Sequence, residues 1–251
     1  MGRPHIICHM ETSINGKAYG PFMEVPLRAA LARAYDETHL SFGSQAWLCG
    51  RVTMAYFAGT GSPRFDPKAP RVARQDYIGD AGARDFVVSI DASGKLPWNK
   101  NTVQYGLRPE AHLIEVLTDR ASDDYISYLH QRKISYIFAG GDELDLALAV
   151  QKLKVLFGIQ TLVVSGGPIV NGSFLHAGLI DEISLVTVPA LDDANDTPTS
   201  FQRPASLSSQ PPRTYTLKSA QVLSDDVLWV RYVTPLKRSN QSGSAPEEIL
   251  S

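Results

Sequence analysis

Three segments of the sequence leave a short apolar run through glycine and pass into a helix-forming stretch. The strongest is Val163-Val164-Ser165-Gly166-Gly167-Pro168-Ile169-Val170-Asn171-Gly172. Paired glycines let backbone N–H groups approach a diphosphate, and the dipole of a following helix favours negative charge. Taken alone, the same residues also describe a plain strand-to-helix turn. Phe138-Ala139-Gly140-Gly141-Asp142 repeats the construction, but its aspartate suits a helix cap better than a phosphate neighbour. Leu48-Cys49-Gly50-Arg51-Val52-Thr53-Met54 places a cation and a hydroxyl at the expected start of a helix. That fits phosphate contact, and equally a solvated arginine with a capping threonine. No segment is a P-loop, and no G-x-G-x-x-G follows a strand.

Other chemistries are poorly served. His5, His9, His39, His112, His130 and His176 suggest no zinc site, and no metal is expected. A hydrolase elbow of the form G-x-S-x-G is absent. Cys8 and Cys49 each sit inside an apolar run and read as buried thiols in a reducing compartment.

The elements that must position these residues alternate along the chain. Strand-like runs are expected at His5–Met10, Ala46–Cys49, Phe86–Ile90, His112–Leu117, Ser135–Ala139, Thr161–Val164 and Ile183–Val188. Between them fall helical patterns at Pro26–Leu40, Ser122–Arg132, Asp142–Phe157 and Val170–Ala177. Thr12–Gly20, Gly59–Pro70 and Asp192–Pro212 read as loops. Thr214–Leu223 and Val227–Val233 alternate around Ser224-Asp225-Asp226 as a β-hairpin. The pattern predicts an α/β fold with a mixed, mostly parallel central sheet covered on both faces and closed by an antiparallel hairpin.

With 251 residues, 43% hydrophobic and 20% charged, the chain has the composition of a globular protein with one large core. One domain over residues 1–236 is expected, with 237–251 as a flexible tail. A net charge of -2 argues against nucleic acid or an anionic membrane surface as partner. Neither a signal peptide nor a membrane-length apolar run is seen, so the expected location is cytoplasmic.

Three stretches together resemble the reductase domain of bacterial riboflavin biosynthesis. Met10-Glu11-Thr12-Ser13-Ile14-Asn15-Gly16-Lys17 resembles that family's S-L-D-G-K loop after the first strand. Gly50-Arg51-Val52-Thr53 resembles a G-x-x-T segment shared with dihydrofolate reductases. Ser165 through Ile183 is similar to an E-G-G-P…N-G…L-x-x-G-L-x-D-E stretch. The likeness extends over about residues 3–234. It implies a three-layer, dihydrofolate-reductase-like fold that binds NADPH and passes hydride to a bound small molecule. The implied reaction is reduction of a ribosylaminopyrimidine 5′-phosphate to its ribityl form, by a homodimer.

The resemblance also implies site residues. Gly166, Gly167, Pro168, Ile169, Gly50 and Thr53 would contact cofactor phosphates, with Ser89 and Lys95 nearest to an adenosine 2′-phosphate beside Asp91. Ser13, Asn15, Gly16 and Lys17 would lie near nicotinamide and substrate, Asn15 and Lys17 as the catalytic candidates and Lys17 orienting the substrate. Ser165 would touch substrate, where the family carries glutamate; Asn15 likewise replaces aspartate. Two rival readings stand beside this one. A reductase of the same fold with another substrate, dihydrofolate included, would need an acid near the first helix, and Glu24 and Asp36 are the acids available. A nucleotide-binding protein without turnover would bind NADPH and oxidise none of it.

Overall fold

β1 (His5–Thr12) carries Ile6, Ile7, Cys8 and Met10, all buried, so the strand is apolar on both faces as a central parallel strand must be. In the computed structural model, which describes residues 2–24 and 26–235, a 3₁₀ turn at Pro21–Glu24 leads to α1 (Arg28–Leu40). Then come β2 (Ala46–Gly50), α2 (Arg51–Ala58), β3 (Phe86–Ile90), β4 (Thr102–Val103) and β5 (Ala111–Leu117). α3 (Asp123–Gln131), β6 (Ser135–Phe138), α4 (Leu146–Phe157), β7 (Thr161–Val164) and α5 (Pro168–His176) follow. β8 (Glu182–Thr187), β9 (Thr216–Val222) and β10 (Leu228–Val233) complete the sheet. The tail expected at 237–251 lies outside the described residues.

The strands form one sheet in the order β4-β5-β3-β2-β7-β1-β8-β10-β9, with β6 also on β5. β1 runs parallel to β7, with Ile6 opposite Leu162, and parallel to β8, with Cys8 opposite Ile183. β10 pairs antiparallel with both β8 and β9. The mostly parallel sheet with a closing antiparallel hairpin is therefore as the alternation of elements predicts.

Side-chain alternation sorts the core into layers. On one face Ile6, Cys8, Leu48 and Val164 meet Ala149 and Leu153 of α4 and Phe174 of α5. On the other, Ile7, Trp47, Cys49 and Val163 meet Met54 of α2 and Tyr125 and Leu129 of α3. Leu31 and Tyr35 of α1 pack with Val186 and Trp229 on the hairpin side. The sheet thus sits between two helical layers.

Three local expectations change. α4 begins at Leu146, not Asp142: Gly140 takes φ +106, Asp145 N–H donates to Ala139 O at 2.9 Å, and Asp145 rather than Asp142 caps the helix by accepting from Leu148 N–H. The two-residue β4 falls after the loop at 97–101 and is too short to show a period. Ser224–Asp226 forms a 3₁₀ turn with Asp225 at φ 59 and Asp226 at φ 57, a left-handed conformation that aspartate tolerates better than most residues.

Candidate functional site

Parallel α/β sheets bind ligands beyond the carboxyl ends of their strands. There the structure opens a cleft of about 940 Å³, bordered by Met10 and Glu11 of β1, Gly50 of β2, Ile90 of β3 and Ser165 after β7. Its position follows directly from the strand directions.

Two helix N-termini meet at one end of the cleft. Gly50 N–H donates to Gly166 O at 3.1 Å, which sets the start of α2 beside the start of α5. A β-carbon on Gly50 would lie 2.6 Å from Val170 Cγ2, so glycine is what lets the two helices approach. Neither helix has a side-chain cap, whereas α3 is capped by Ser122 and α4 by Asp145. First-turn N–H groups have no intrahelical partner, and here no side chain takes them either. Arg51, half-exposed, opens α2, and Thr53 stands one turn in. The left-handed residue of the glycine pair is Gly166, at φ +91 with Met10 Sδ 3.2 Å from a would-be β-carbon. Gly167 has φ −71, and a β-carbon there would meet only Thr53 Oγ1, at an ordinary 3.9 Å. Backbone geometry does not require glycine at 167; the missing side chain leaves space in front of both helix ends. These features fit the diphosphate of a dinucleotide.

A different chemistry occupies the other wall. Arg28 of α1 donates to Glu11 Oε2 at 2.8 Å. Burial pushes the Glu11 carboxyl above its usual range, and the Arg28 charge pulls it partly back. The Arg108 guanidinium lies 5.0 Å from the ring centres of Trp47 and Tyr105 and 5.4 Å from that of Tyr35. Behind it, burial lowers His9 to about 3 and His39 to about 2, with the Arg108 charge adding to both, so neither ring donates a proton at neutral pH. His9 is held by Ser184 Oγ at 3.0 Å and Tyr35 O at 3.1 Å. Burial likewise raises the Cys49 thiol to about 12, which keeps it protonated.

Of the residues singled out from the sequence, Gly50, Thr53, Ser165, Gly167, Pro168 and Ile169 line the cleft, and buried Gly166 lies directly behind them. Ser13, Asn15, Lys17 and Ser89 do not line it. Lys17 Nζ donates to the carbonyls of Ala194, at 2.7 Å, and Thr197, at 3.0 Å. Asn15 Nδ2 donates to Asp192 O at 2.6 Å, and Ser13 Oγ to Asn15 Oδ1 at 2.8 Å. Asn15 and Lys17 thus clasp the 192–200 segment, and Ser13 braces them by donating to Asn15 Oδ1 and accepting from Lys17 N–H. Ser89 is wholly buried within β3, and its hydroxyl does not open onto the cleft. The neighbouring Asp91 accepts backbone N–H groups of Lys95 and Leu96, and so shapes the turn after β3. His5 and His9 are four apart on a strand, one exposed and the other buried, and no group of three or more His, Cys, Asp or Glu gathers among the described residues.

Sequence reasoning passed over Glu11, Arg28, Tyr35 and Arg108. Glu11 lies within the Met10–Lys17 stretch and carries the available signal, a carboxylate at the carboxyl end of the first strand. The folate reading loses its acids: Glu24 is exposed in the 3₁₀ turn, and Asp36 accepts Leu107 N–H at 3.3 Å outside the cleft lining. Among the described residues no helix is long and apolar enough to cross a membrane.

Sheet order, layering and cleft define an α/β protein of the dihydrofolate-reductase-like class. Residues 4–229 match the RibD C-terminal domain, and the chain belongs to that family. It is 25% identical over 127 residues to the 2,5-diamino-6-ribosylamino-4(3H)-pyrimidinone 5′-phosphate reductase of Methanothermobacter thermautotrophicus, an alignment covering 51% of this chain and 56% of that enzyme. Solved structures share the fold. A pyrimidine reductase-like protein from Corynebacterium diphtheriae has a TM-score of 0.59 at 18% identity, with 93% of each chain covered. RibD of Acinetobacter baumannii has a TM-score of 0.61 at 17% identity, covering 94% of this chain and 59% of that one.

Proposed function

We propose that the protein is an NADPH-dependent reductase of the riboflavin-biosynthesis type, reducing a ribosylaminopyrimidine 5′-phosphate to its ribityl form. The observation that carries this is the pair of uncapped helix N-termini, α2 and α5, meeting across Gly167 in a cleft of about 940 Å³. Family membership and the name of the archaeal relative point to the same reaction.

Backbone amides at Arg51–Thr53 and Ile169–Val170 would hold the cofactor diphosphate, with Arg51 as a further cation. NADPH, when bound, supplies the hydride. Reduction of a ring-opened ribosylamine adds hydride to the sugar C1 and needs a proton at the attached nitrogen. Glu11 is the carboxyl in the cleft lining, and burial favours its protonated form, so it takes the role of proton donor. Arg28 orients Glu11 through their hydrogen bond. Lys17 and Asn15 act at one remove, fixing the 192–200 segment that leads to Gln202 in the cleft wall. Ser165, also in the wall, would meet the substrate. A second copy would pair along β9, whose exposed Leu217 and Val222 border the sheet edge; a monomeric mass in light scattering would contradict it.

The test is a panel of ribosylaminopyrimidine 5′-phosphates, with dihydrofolate as comparison, followed by loss of reduced-nicotinamide absorbance. Turnover of a pyrimidine in preference to dihydrofolate is expected. Tight NADPH binding with no oxidation by any pyrimidine would leave a binding protein instead.

A further inference from the structure

Arg108 is a buried cation in the cleft wall with two of its nitrogens unpartnered. Its side chain is 2% exposed, and both Nε and Nη2 are buried without a hydrogen-bond partner. A guanidinium carries five N–H donors and cannot shed its charge, so burying it with donors unmet is costly unless something else meets them. Asp36 lies 3.7 Å from Nε, a charge contact without a hydrogen bond, and its Oδ1 is likewise unpartnered. Neighbouring ionic groups are already engaged, because Glu11 is hydrogen-bonded to Arg28.

The surroundings say what is missing. Arg108, from the turn before β5, borders the cleft against Trp47, which stands three residues before Gly50 on β2, so it belongs to the wall beyond the helix N-termini. The charged lining residues are Glu11, Arg28, Arg51 and Arg108, three cations against one anion, in a chain whose net charge is -2. Charge of one sign in a concave, aromatic-walled site concentrates ligands of the other sign. Arg51 serves the helix ends, which leaves Arg108 for a second anion. A planar fork suits the oxygens of a phosphate or carboxylate, which it can bind in bidentate fashion.

We infer that Arg108 is the substrate-positioning residue of a second anion subsite, one that receives an oxyanion carried by the substrate rather than by the cofactor. The inference deepens the reductase reading, on which it rests for the identity of the ligand. On that reading the oxyanion is the 5′-phosphate; a carboxylate would satisfy the same donors.

The test needs no turnover. Ribose 5-phosphate, ribose and benzoate are titrated calorimetrically into the wild-type protein and into Arg108→Gln, Arg108→Lys and Asp36→Asn variants, with NADPH affinity measured in parallel. Ribose 5-phosphate should bind and ribose should not. Arg108→Gln should weaken the phosphate by about 10- to 150-fold, the loss of one charge-assisted hydrogen bond, with NADPH affinity unchanged. Arg108→Lys should recover part of the loss. Asp36→Asn keeps the arginine and removes its competing charge, so it should tighten phosphate binding, which a merely structural pair would not do. Tighter binding of benzoate than of ribose 5-phosphate, lost in Arg108→Gln, would support the subsite with a carboxylate as occupant. Equal affinity of wild type and Arg108→Gln for both probes would overturn it, as would weaker binding in Asp36→Asn. Failure of every pyrimidine to oxidise NADPH would defeat the reductase reading and leave these titrations standing.

Discussion

Replacing Gly167 with valine separates what the fold needs from what a ligand needs. At φ −71 and ψ −174 the residue lies in extended backbone that valine prefers, and its β-carbon would meet Thr53 Oγ1 at 3.9 Å. The fold should therefore lose little, within about 1 kcal/mol. The added methyls project into the gap between α2 and α5, where they stand between a diphosphate and the N–H groups of both first turns. Losing one charge-assisted hydrogen bond weakens binding by about 1.5–3 kcal/mol, or roughly 10- to 150-fold in Kd. Two neighbours serve as controls. Gly166→Ala should destabilise instead, because φ +91 is disfavoured for any residue with a β-carbon and Met10 Sδ stands 3.2 Å away. Gly141→Val, in the other glycine pair, should leave NADPH affinity intact, since that residue is no part of the cleft lining. The assay is NADPH fluorescence titration with thermal melts run alongside. A folded Gly167→Val variant with wild-type NADPH affinity would remove the diphosphate from this end of the cleft.

Further outcomes can be measured. Since burial raises the Glu11 pKa, its protonated form and the activity that uses it should decline as pH rises through that value; Glu11→Gln should lower kcat and flatten the alkaline limb. Glu115, wholly buried and raised well above 4.5 by burial and by Asp91, binds its proton more tightly folded than unfolded, so stability should fall as pH climbs above about 4.5. Glu115→Gln, which keeps an acceptor for Trp98 Nε1, should flatten that fall in urea titrations at several pH values. Lys17→Met should raise amide hydrogen exchange across 192–200 by releasing the carbonyls of Ala194 and Thr197; unchanged exchange there would return Lys17 to the list of substrate contacts. Ser165→Glu restores the carboxylate of the resembling reductases at a cleft position whose hydroxyl has no partner, and should raise kcat/KM for a ribosylaminopyrimidine phosphate relative to other substrates.

What was legible in the sequence is what depends on short stretches of chain. A buried parallel strand announces itself by β-branched residues within five or six positions, and β1, β3 and β7 were read to within two residues for that reason. The glycine-led turns were legible too, because a helix N-terminus is a local object. Choosing among them was harder: Asp142 and Asp145 are both plausible caps, and only the path of 140–144 back to Ala139 decides which one starts α4.

The opposite wall of the cleft could not be read because no short stretch contains it. Glu11 comes from β1, Arg28 and Tyr35 from α1, Trp47 from β2, and Arg108 from the turn before β5. Each looks ordinary in its own segment: an exposed-looking acid, a helix arginine, a tyrosine on the apolar face of that helix, a core tryptophan, an arginine beside Pro109. Arg108 becomes informative only when folding takes its donors out of water without supplying acceptors. Lys17 shows the converse case. In sequence it is a free cation in a loop that resembles a substrate loop, yet the fold gives its three donors two backbone carbonyls from a segment 177 and 180 residues away. A lysine so occupied is held by two bonds and keeps one N–H, whereas Arg108 has both Nε and Nη2 unpartnered. In the proposed reading, hydrogen bonding therefore gives the burden of holding the substrate to Arg108, a residue that the substrate-loop motif does not contain.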